Sequence, residues 1–122
     1  ATCRPGRVLI APPARHLGVG GEGLARLSDA PPVDTFKPSV TPLFSSAALH
    51  YGPRACGVLL TGMGRDGAEG MRQLKGAGGT TLAQDEATSA VFGMPRAAIE
   101  LGAVDRILPL EEIPRVLQEL AR

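Results

Sequence analysis

A run of strand-forming aliphatic residues that breaks into glycines and then continues as a helix restricts the possible folds most. The stretch VLLTGMGRDGAEGM occupies residues 58–71 and belongs to a nearly continuous apolar run that begins ACGVLLT. Such a run suits a strand that is covered on both faces, as in a parallel sheet. We therefore expect a central parallel strand, then a glycine loop, then a helix.

The remaining carboxyl-terminal half predicts alternating helices and strands. GAEGMRQLKGAGG indicates a helix with Ala68, Met71 and Leu74 inward, TTLAQ and VDRILP indicate strands, and LEEIPRVLQELAR indicates a closing helix. DEATSAVFGMPRAAIELGA predicts two short helices separated at Gly93. This alternation predicts an α/β fold with a mostly parallel sheet flanked by helices.

The amino-terminal half predicts a strand, a hairpin, a loop and a helix. The strand is expected at 7–12, and HLGVGGEGLARLS predicts a β-hairpin at one edge of the sheet. The three prolines between Asp29 and Pro38 indicate a loop. Ser39 is a natural N-cap for a helix that ends at Gly52. Its apolar stripe is Val40, Leu43, Phe44, Ala47, Ala48 and Tyr51.

Composition excludes several classes of function. The chain has 122 residues, enough for one domain, and a net charge of +1 without charge runs. Three Phe, one Tyr and no Trp leave little surface for stacking bases, which argues against nucleic-acid binding. No window is long and apolar enough to insert in a membrane, and we expect a cytoplasmic setting. Neither a disulfide nor a metal site is expected from Cys3 and Cys56, and Cys56 is expected to be a buried thiol.

The glycine loop itself matches the G-x-G-x-x-G pattern of dinucleotide-binding folds, from Gly62 to Gly67. It follows a predicted strand, and Asp85 comes at about the distance that ribose recognition requires. Against this interpretation, Asp66 places a carboxylate among the amides that a pyrophosphate would occupy. About half the chain also precedes the motif, whereas in a Rossmann half-domain it normally comes first.

Two other interpretations use the same loop. Amides at a turn from strand to helix can stabilise the oxyanion of an acyl-transfer intermediate, and a carboxylate beside them can orient a catalytic histidine. More simply, Asp66 could cap the helix that begins near Gly67. The residues alone leave all three interpretations open.

A family resemblance favours the second. LTGMGRDGAEGM together with AQDEATSAVFGMPRAAI closely resembles the carboxyl-terminal part of CheB-type protein-glutamate methylesterases of bacterial chemotaxis, and RVLIAPPARHL and KPSVTPLF extend the resemblance upstream. It implies a doubly wound α/β sheet and hydrolysis of glutamate methyl esters on chemoreceptors by a Ser-His-Asp mechanism, with release of methanol. Deamidation of receptor glutamines is a second implied activity, and no cofactor or metal is implied.

Carried over to this chain, the resemblance makes Asp66 the triad acid and the backbone amide of Met63 an oxyanion-hole donor. The family's serine lies in a Gly-x-Ser-x-Gly-Gly loop and its histidine in a Gln-His-Met-Pro stretch, and neither pattern occurs here. Residues 1–122 are therefore expected to be the carboxyl-terminal part of a catalytic domain, without the strands that bear the serine and the histidine. The chain alone is expected to be inactive.

Other positions show where the resemblance holds and where it departs. His16 matches a family histidine that is not the triad base, while Phe36 and Thr41 stand where the family commonly has a histidine and an aspartate. The implied partners are the methylated cytoplasmic helices of chemoreceptors and an amino-terminal receiver domain. A dinucleotide-binding half-domain and a non-catalytic interaction module remain the alternative functions.

Overall fold

The structure, a computed structural model, describes residues 2–121. Its strands and helices alternate after an initial hairpin. The strands are β1 (His16–Val19), β2 (Ala25–Ser28), β3 (Cys56–Leu59), β4 (Thr80–Gln84) and β5 (Arg106–Leu108). The helices are α1 (Val40–Tyr51), α2 (Ala68–Gly76), α3 (Gly93–Glu100) and α4 (Ile113–Leu120).

A parallel sheet organises the carboxyl-terminal half, with the strand order β3-β4-β5. Both strand pairs are parallel; Leu82 of β4 is in register with Val58 on one side and with Arg106 on the other. The α/β prediction with a parallel sheet is confirmed. The expectation that β3 is central is wrong for the described residues, because β3 pairs only with β4 and lies at the sheet edge.

Helices cover both faces of this sheet. Val58 and Leu59 are neighbours in β3 and point to opposite faces. Leu59 packs in a cluster with α1, α2 and α3 residues, whereas Val58 packs against Leu82 and the α4 side chains Ile113 and Val116. The sheet is therefore doubly wound. Within α2, Ala68, Met71 and Leu74 are buried as predicted.

The hairpin of β1 and β2 forms a two-stranded antiparallel sheet of its own beside α1. Two side chains of α1 hold it: the hydroxyl of Ser46 accepts from the Val19 amide at 2.9 Å, and the Tyr51 hydroxyl accepts from the Gly23 amide at 2.7 Å. The Tyr51 hydroxyl also donates to the Gly20 carbonyl at 2.8 Å. These bonds fix α1 relative to the hairpin.

Two predicted elements are wrong. Residues 7–12 form no strand, because no strand among the described residues offers them backbone partners, and Val8 and Ile10 are 89% and 85% exposed. The predicted helix before Gly93 is a turn. There the carboxylate of Asp85 accepts from the amide and the hydroxyl of Thr88, and such local side-chain bonds compete with a helix.

Cys56 was expected to be buried but is exposed, at the start of β3. Although part of the residue faces solvent, desolvation of the thiol, and after it the negative charge of Asp105, raise the pKa of Cys56. Cys3 is also a free, exposed cysteine. Neither thiol is therefore a core side chain.

Candidate active site

The glycine loop lies where β3 ends and α2 begins, at the carboxyl edge of the parallel sheet. Ligands and reacting groups collect at this edge in open α/β folds. The loop is fastened to the segment before α3: the Gly62 amide donates to the Val91 carbonyl at 2.9 Å, and the Met94 amide donates to the Gly62 carbonyl at 2.9 Å. The Thr61 hydroxyl accepts from the Val91 amide at 2.8 Å. These bonds therefore fix the start of the glycine loop to the segment before α3.

A buried amide side chain fixes the entry to the loop. Gln84, at the end of β4, is 1% exposed, and its Oε1 accepts from the Thr61 amide at 2.8 Å. Its Nε2 donates to the Thr88 carbonyl at 2.7 Å. One side chain thus joins the glycine loop to the turn that follows β4.

Close backbone packing fixes the middle of the loop. A Cβ atom at Gly93 would lie 2.9 Å from the Gly64 nitrogen and 3.0 Å from the Gly62 carbonyl oxygen. Backbone atoms cannot move aside as the end of a side chain can. The glycine at position 93 therefore allows α3 to begin directly against residues 62–64.

The carboxylate of Asp66 points toward the start of α1. Its Oδ1 accepts from the Ser39 hydroxyl at 2.5 Å, and its Oδ2 accepts from the amide of Val40, the first residue of α1, at 2.9 Å. A negative charge is favourable at a helix amino terminus. Asp66 is only partly buried, so the orientation of its carboxylate is fixed while one side remains accessible.

The simpler interpretation of Asp66, that it caps the helix after it, is wrong. The N-cap of α2 is Gly67, in a left-handed conformation with φ 89°, and no side chain caps that helix. The Gly67 amide instead donates to the Thr41 hydroxyl at 3.1 Å. Asp66 interacts with the amino terminus of α1, a helix from a distant part of the sequence.

His16, Ser39 and Asp66 supply the three residue types of a Ser-His-Asp triad, but their hydrogen bonds differ from those of a triad. The Ser39 hydroxyl donates to Asp66, and His16 contacts the backbone of Ser39, whose amide donates to Nδ1 at 3.1 Å. The His16 Nε2 lies 3.0 Å from the Pro31 carbonyl oxygen. His16 therefore has no free ring nitrogen to act as a base on a serine.

A cavity of about 620 Å³ opens beside Asp66. Asp34 and Thr35, both with positive φ, form a tight turn just before Phe36. The Phe36 ring lies 3.8 Å from the point that a Cβ atom at Gly64 would occupy. Both positions that depart from the family pattern, Phe36 and Thr41, thus form part of the cavity wall. The lining residues are Val33, Asp34, Phe36, Thr41, Gly64, Arg65, Asp66, Ala68, Glu69 and Leu101.

Charged groups surround this cavity without enclosing it. Arg65 and Glu69 both line it, and Glu69 also forms an ion pair with Arg72 along α2. The hydrogen bond from Arg72 lowers the pKa of the exposed Glu69 carboxyl. The cavity lining therefore includes three carboxylates, of Asp34, Asp66 and Glu69, and the guanidinium of Arg65.

Met63 lies in the loop between Gly62 and Gly64 and is 79% exposed. Its backbone N–H donates to no group among residues 2–121. An unpaired amide in a fastened loop is the kind of donor that an oxyanion hole needs. Its role as an oxyanion-hole donor and that of Asp66 as a triad acid stay predictions.

The other candidate residues mostly pack or bind locally. Met71 is fully buried and Met94 packs in the same core cluster, whereas Met63 is exposed. Asp85, which dinucleotide binding would need at a ribose, instead binds Thr88. Among residues 2–121 no group of three or more His, Cys, Asp or Glu side chains could hold a metal ion. No helix in the same range is long and apolar enough to cross a membrane.

Sequence reasoning missed the residues that hold the site together. Ser39 was expected only as the N-cap of α1, and it is that N-cap, but it also donates to Asp66. The role of Gln84 at the loop entry carried no sequence signal. Both contacts join segments far apart in the chain, so no local spacing could have predicted them.

The sequence of this chain matches a known family and is similar to known proteins. A family described as CheB methylesterase matches residues 1–117. A protein-glutamate methylesterase/protein-glutamine glutaminase of Anaeromyxobacter dehalogenans is 79% identical over 119 residues, which cover 98% of this chain and 35% of that protein. A protein of the same description from Burkholderia lata is 54% identical over 121 residues, covering 96% of this chain and 33% of that protein. The chain thus spans about a third of the length of these curated relatives.

A solved structure shares the fold. The crystal structure of the Thermotoga maritima CheB methylesterase catalytic domain superposes with a TM-score of 0.93 at 39% sequence identity. The match covers 98% of this chain and 65% of that one. The arrangement of helices, parallel sheet and hairpin is therefore that of most of a known catalytic domain.

Proposed function

This chain belongs to the CheB methylesterase family, and from that premise we propose that it is the carboxyl-terminal part of a catalytic domain that hydrolyses glutamate methyl esters on chemoreceptors. The relatives are named for a glutaminase activity as well, and we propose glutamine deamidation as the second reaction. Within that domain this chain supplies the triad acid Asp66 and the Met63 amide. The serine nucleophile and the histidine base come from outside residues 1–122.

One observation carries the proposal. Asp66 is held by two donors from the start of α1, remains partly exposed, and lines a cavity of about 620 Å³. The same loop presents the amide of Met63, which has no acceptor among residues 2–121. A fixed carboxylate and a nearby backbone donor are what a serine esterase needs from the acid side of its site.

In the proposed mechanism, the serine oxygen attacks the ester carbonyl carbon while the histidine takes the serine proton. Asp66 orients that histidine and stabilises its positive charge, and the Met63 amide donates to the oxyanion. Collapse of the intermediate breaks the bond to the methoxy oxygen, which leaves as methanol with the proton from the histidine. Water then hydrolyses the acyl-enzyme to the free glutamate carboxylate and regenerates the serine.

The expected partners follow from the substrate. The methylated glutamates would be presented by the cytoplasmic helices of chemoreceptors, so we propose a cytoplasmic location. A receiver domain that precedes the catalytic domain is the proposed regulator. Asp34, which lines the cavity, and exposed Met63, next to the lining residue Gly64, offer surface for a receptor helix.

The test uses the complete parent protein and receptors whose glutamates carry radiolabelled methyl esters. We expect labelled methanol to be released in a reaction that a serine-directed inhibitor blocks. The same protein is titrated with NAD(H) to examine the dinucleotide alternative. Absence of methanol release, or saturable binding of NAD(H) at micromolar concentration, would reject the proposed function.

A further inference from the structure

The two oxygens of the Asp66 carboxylate are held by different donors. Oδ1 accepts from the Ser39 hydroxyl at 2.5 Å and Oδ2 from the Val40 amide at 2.9 Å. A carboxylate has about four acceptor positions, two on each oxygen. Each oxygen thus keeps a second position for another donor, while rotation of the carboxylate about its last bond would break both existing bonds.

The Ser39 hydroxyl is the donor in its bond to Asp66, because an ionised carboxylate can only accept. The Ser39 oxygen also accepts from the Thr41 amide at 3.3 Å. A distance of 3.3 Å is long for an N–H···O bond, whereas 2.5 Å is at the short end for a hydroxyl bonded to a carboxylate. The stronger contact of Ser39 is therefore with Asp66, and capping of α1 is its weaker one.

His16 holds the backbone of Ser39 from the other side. The Ser39 amide can only donate, so Nδ1 of His16 is the acceptor at 3.1 Å and carries no hydrogen. Nε2 then carries the hydrogen and donates to the Pro31 carbonyl at 3.0 Å. His16 and Ser39 are 2% and 4% exposed, so these bonds are shielded from competing water.

We propose that Ser39 is a positioning residue for Asp66 and that buried His16 holds Ser39 in the conformation this requires. The inference rests on the proposed function, because it assigns Ser39 a catalytic effect only through the triad acid. Ser39 holds one carboxylate oxygen so that the remaining acceptor positions face the incoming histidine. Misplacing a catalytic group by about 1 Å lowers a rate by about 100-fold, so the effect is measurable.

The test measures methyl ester hydrolysis by the complete protein with Ser39→Ala. We expect kcat to fall by about 10- to 100-fold while KM stays within about twofold, because the carboxylate loses orientation and the substrate cavity is intact. Ser39→Gly is the second variant, since glycine keeps an acceptable N-cap but also lacks the hydroxyl. Ser39→Thr retains the hydroxyl and is expected to recover most of the activity.

Ser46→Ala is the matched control. Ser46 lies in α1, the helix that Ser39 caps, and its hydroxyl also holds a distant backbone amide, that of Val19, but it makes no contact with Asp66. Its removal tests whether loss of any interior hydroxyl of α1 lowers the rate. We expect Ser46→Ala to change kcat by less than about twofold. Circular dichroism melting curves of every variant show whether its fold is intact.

A double-mutant cycle separates positioning from a merely structural role. In an Asp66→Ala background, Ser39→Ala is expected to cause no further loss, because there is no carboxylate left to position. An equal loss of rate in both backgrounds, or an inactive Asp66→Ala variant beside a fully active Ser39→Ala variant, would overturn the inference alone. Full activity of Asp66→Ala would overturn the proposed function and this inference with it.

Discussion

The donors that hold Asp66 lie 26 and 27 positions earlier in the chain, in a segment whose sequence shows only a helix start. The sequence did single out Asp66 as a candidate site residue, because it interrupts a glycine loop otherwise suited to an anion. It could not indicate which helix the carboxylate contacts. That contact depends on the packing of α1 against α2, which brings Ser39 to the loop.

Gln84 gives a prediction at the same scale. Replacing buried Gln84 with Leu removes its hydrogen bonds to the Thr61 amide and to the Thr88 carbonyl, each with a net contribution of about 0.5–1.5 kcal/mol. We expect Gln84→Leu to lower the free energy of unfolding by about 1–3 kcal/mol and to lower kcat, because the loop entry loosens. Chemical denaturation and the ester hydrolysis assay measure the two effects.

The control for that change is Gln118→Leu, on the exposed surface of α4. It removes the same amide from a position that makes no contact with the loop. We expect a change within about 0.5 kcal/mol there. If both variants lost the same stability, the buried amide of Gln84 would not be the cause.

At the scale of elements, hydrophobic periodicity predicted helices and strands correctly where the segments that pack against each other both lie within this chain. The helix from Val40 to Tyr51, the inward face of α2 and the strands β4 and β5 all follow the expected pattern. Periodicity failed at 7–12, where an apolar run has no neighbouring strand. It also failed after β4, where the side chain of Asp85 forms a turn in place of a helix.

Gly93, at the junction of the loop and α3, gives the prediction for this scale. A methyl group there would press on the backbone of residues 62 and 64, so Gly93→Ala must displace the loop that carries the Met63 amide. We expect kcat to fall by at least about tenfold and stability to fall by about 1–3 kcal/mol. Steady-state kinetics and denaturation of the complete protein test this.

Gly76→Ala is its control, because a Cβ at the end of α2 would meet nothing within 4 Å. That variant is expected to be as active as the unaltered protein and equally or slightly more stable, since alanine favours a helix. Should Gly93→Ala behave like Gly76→Ala, the close contact between α3 and the loop would not matter for catalysis.

Across the whole molecule, the site depends on how closely α1 approaches α2. A Cβ at Gly70 of α2 would lie 2.8 Å from the Phe44 Cβ and 3.1 Å from the Thr41 Cα. These atoms lie on the side of α1 that packs against α2, so an added methyl group at Gly70 would disturb the close packing of the two helices. The position of Ser39 relative to Asp66 therefore depends on a glycine that touches neither residue.

Gly70→Ala tests this packing. Overpacking costs about 1–3 kcal/mol, so Gly70→Ala is expected to be less stable than Gly76→Ala in the same helix by at least that amount. The comparison removes the gain in helix propensity that both changes share. Equal unfolding free energies for the two variants would show that the helices can separate without cost.

The fold class was predictable because alternation of strands and helices depends on local sequence, and the family resemblance covered nearly all of the chain. The edge position of β3 was not predictable, because the apolar sequence of a strand does not show how many other strands pair with it. The candidate site was predictable as a loop and a carboxylate. Its support by Ser39, His16 and Gln84 was not, because those contacts exist only after the elements pack.

The central claim is that Asp66 is the acid of a serine esterase, and Asp66→Asn in the complete protein tests it most directly. The amide keeps the shape but cannot stabilise the positive charge of the catalytic histidine, so we expect kcat for methyl ester hydrolysis to fall by about 10⁴-fold with the fold intact. Asp105→Asn is the control and is expected to stay active. The Asp105 carboxylate accepts from the Thr81 amide near the amino ends of the parallel strands, away from the glycine loop. Turnover of Asp66→Asn within tenfold of the unaltered protein would contradict the account.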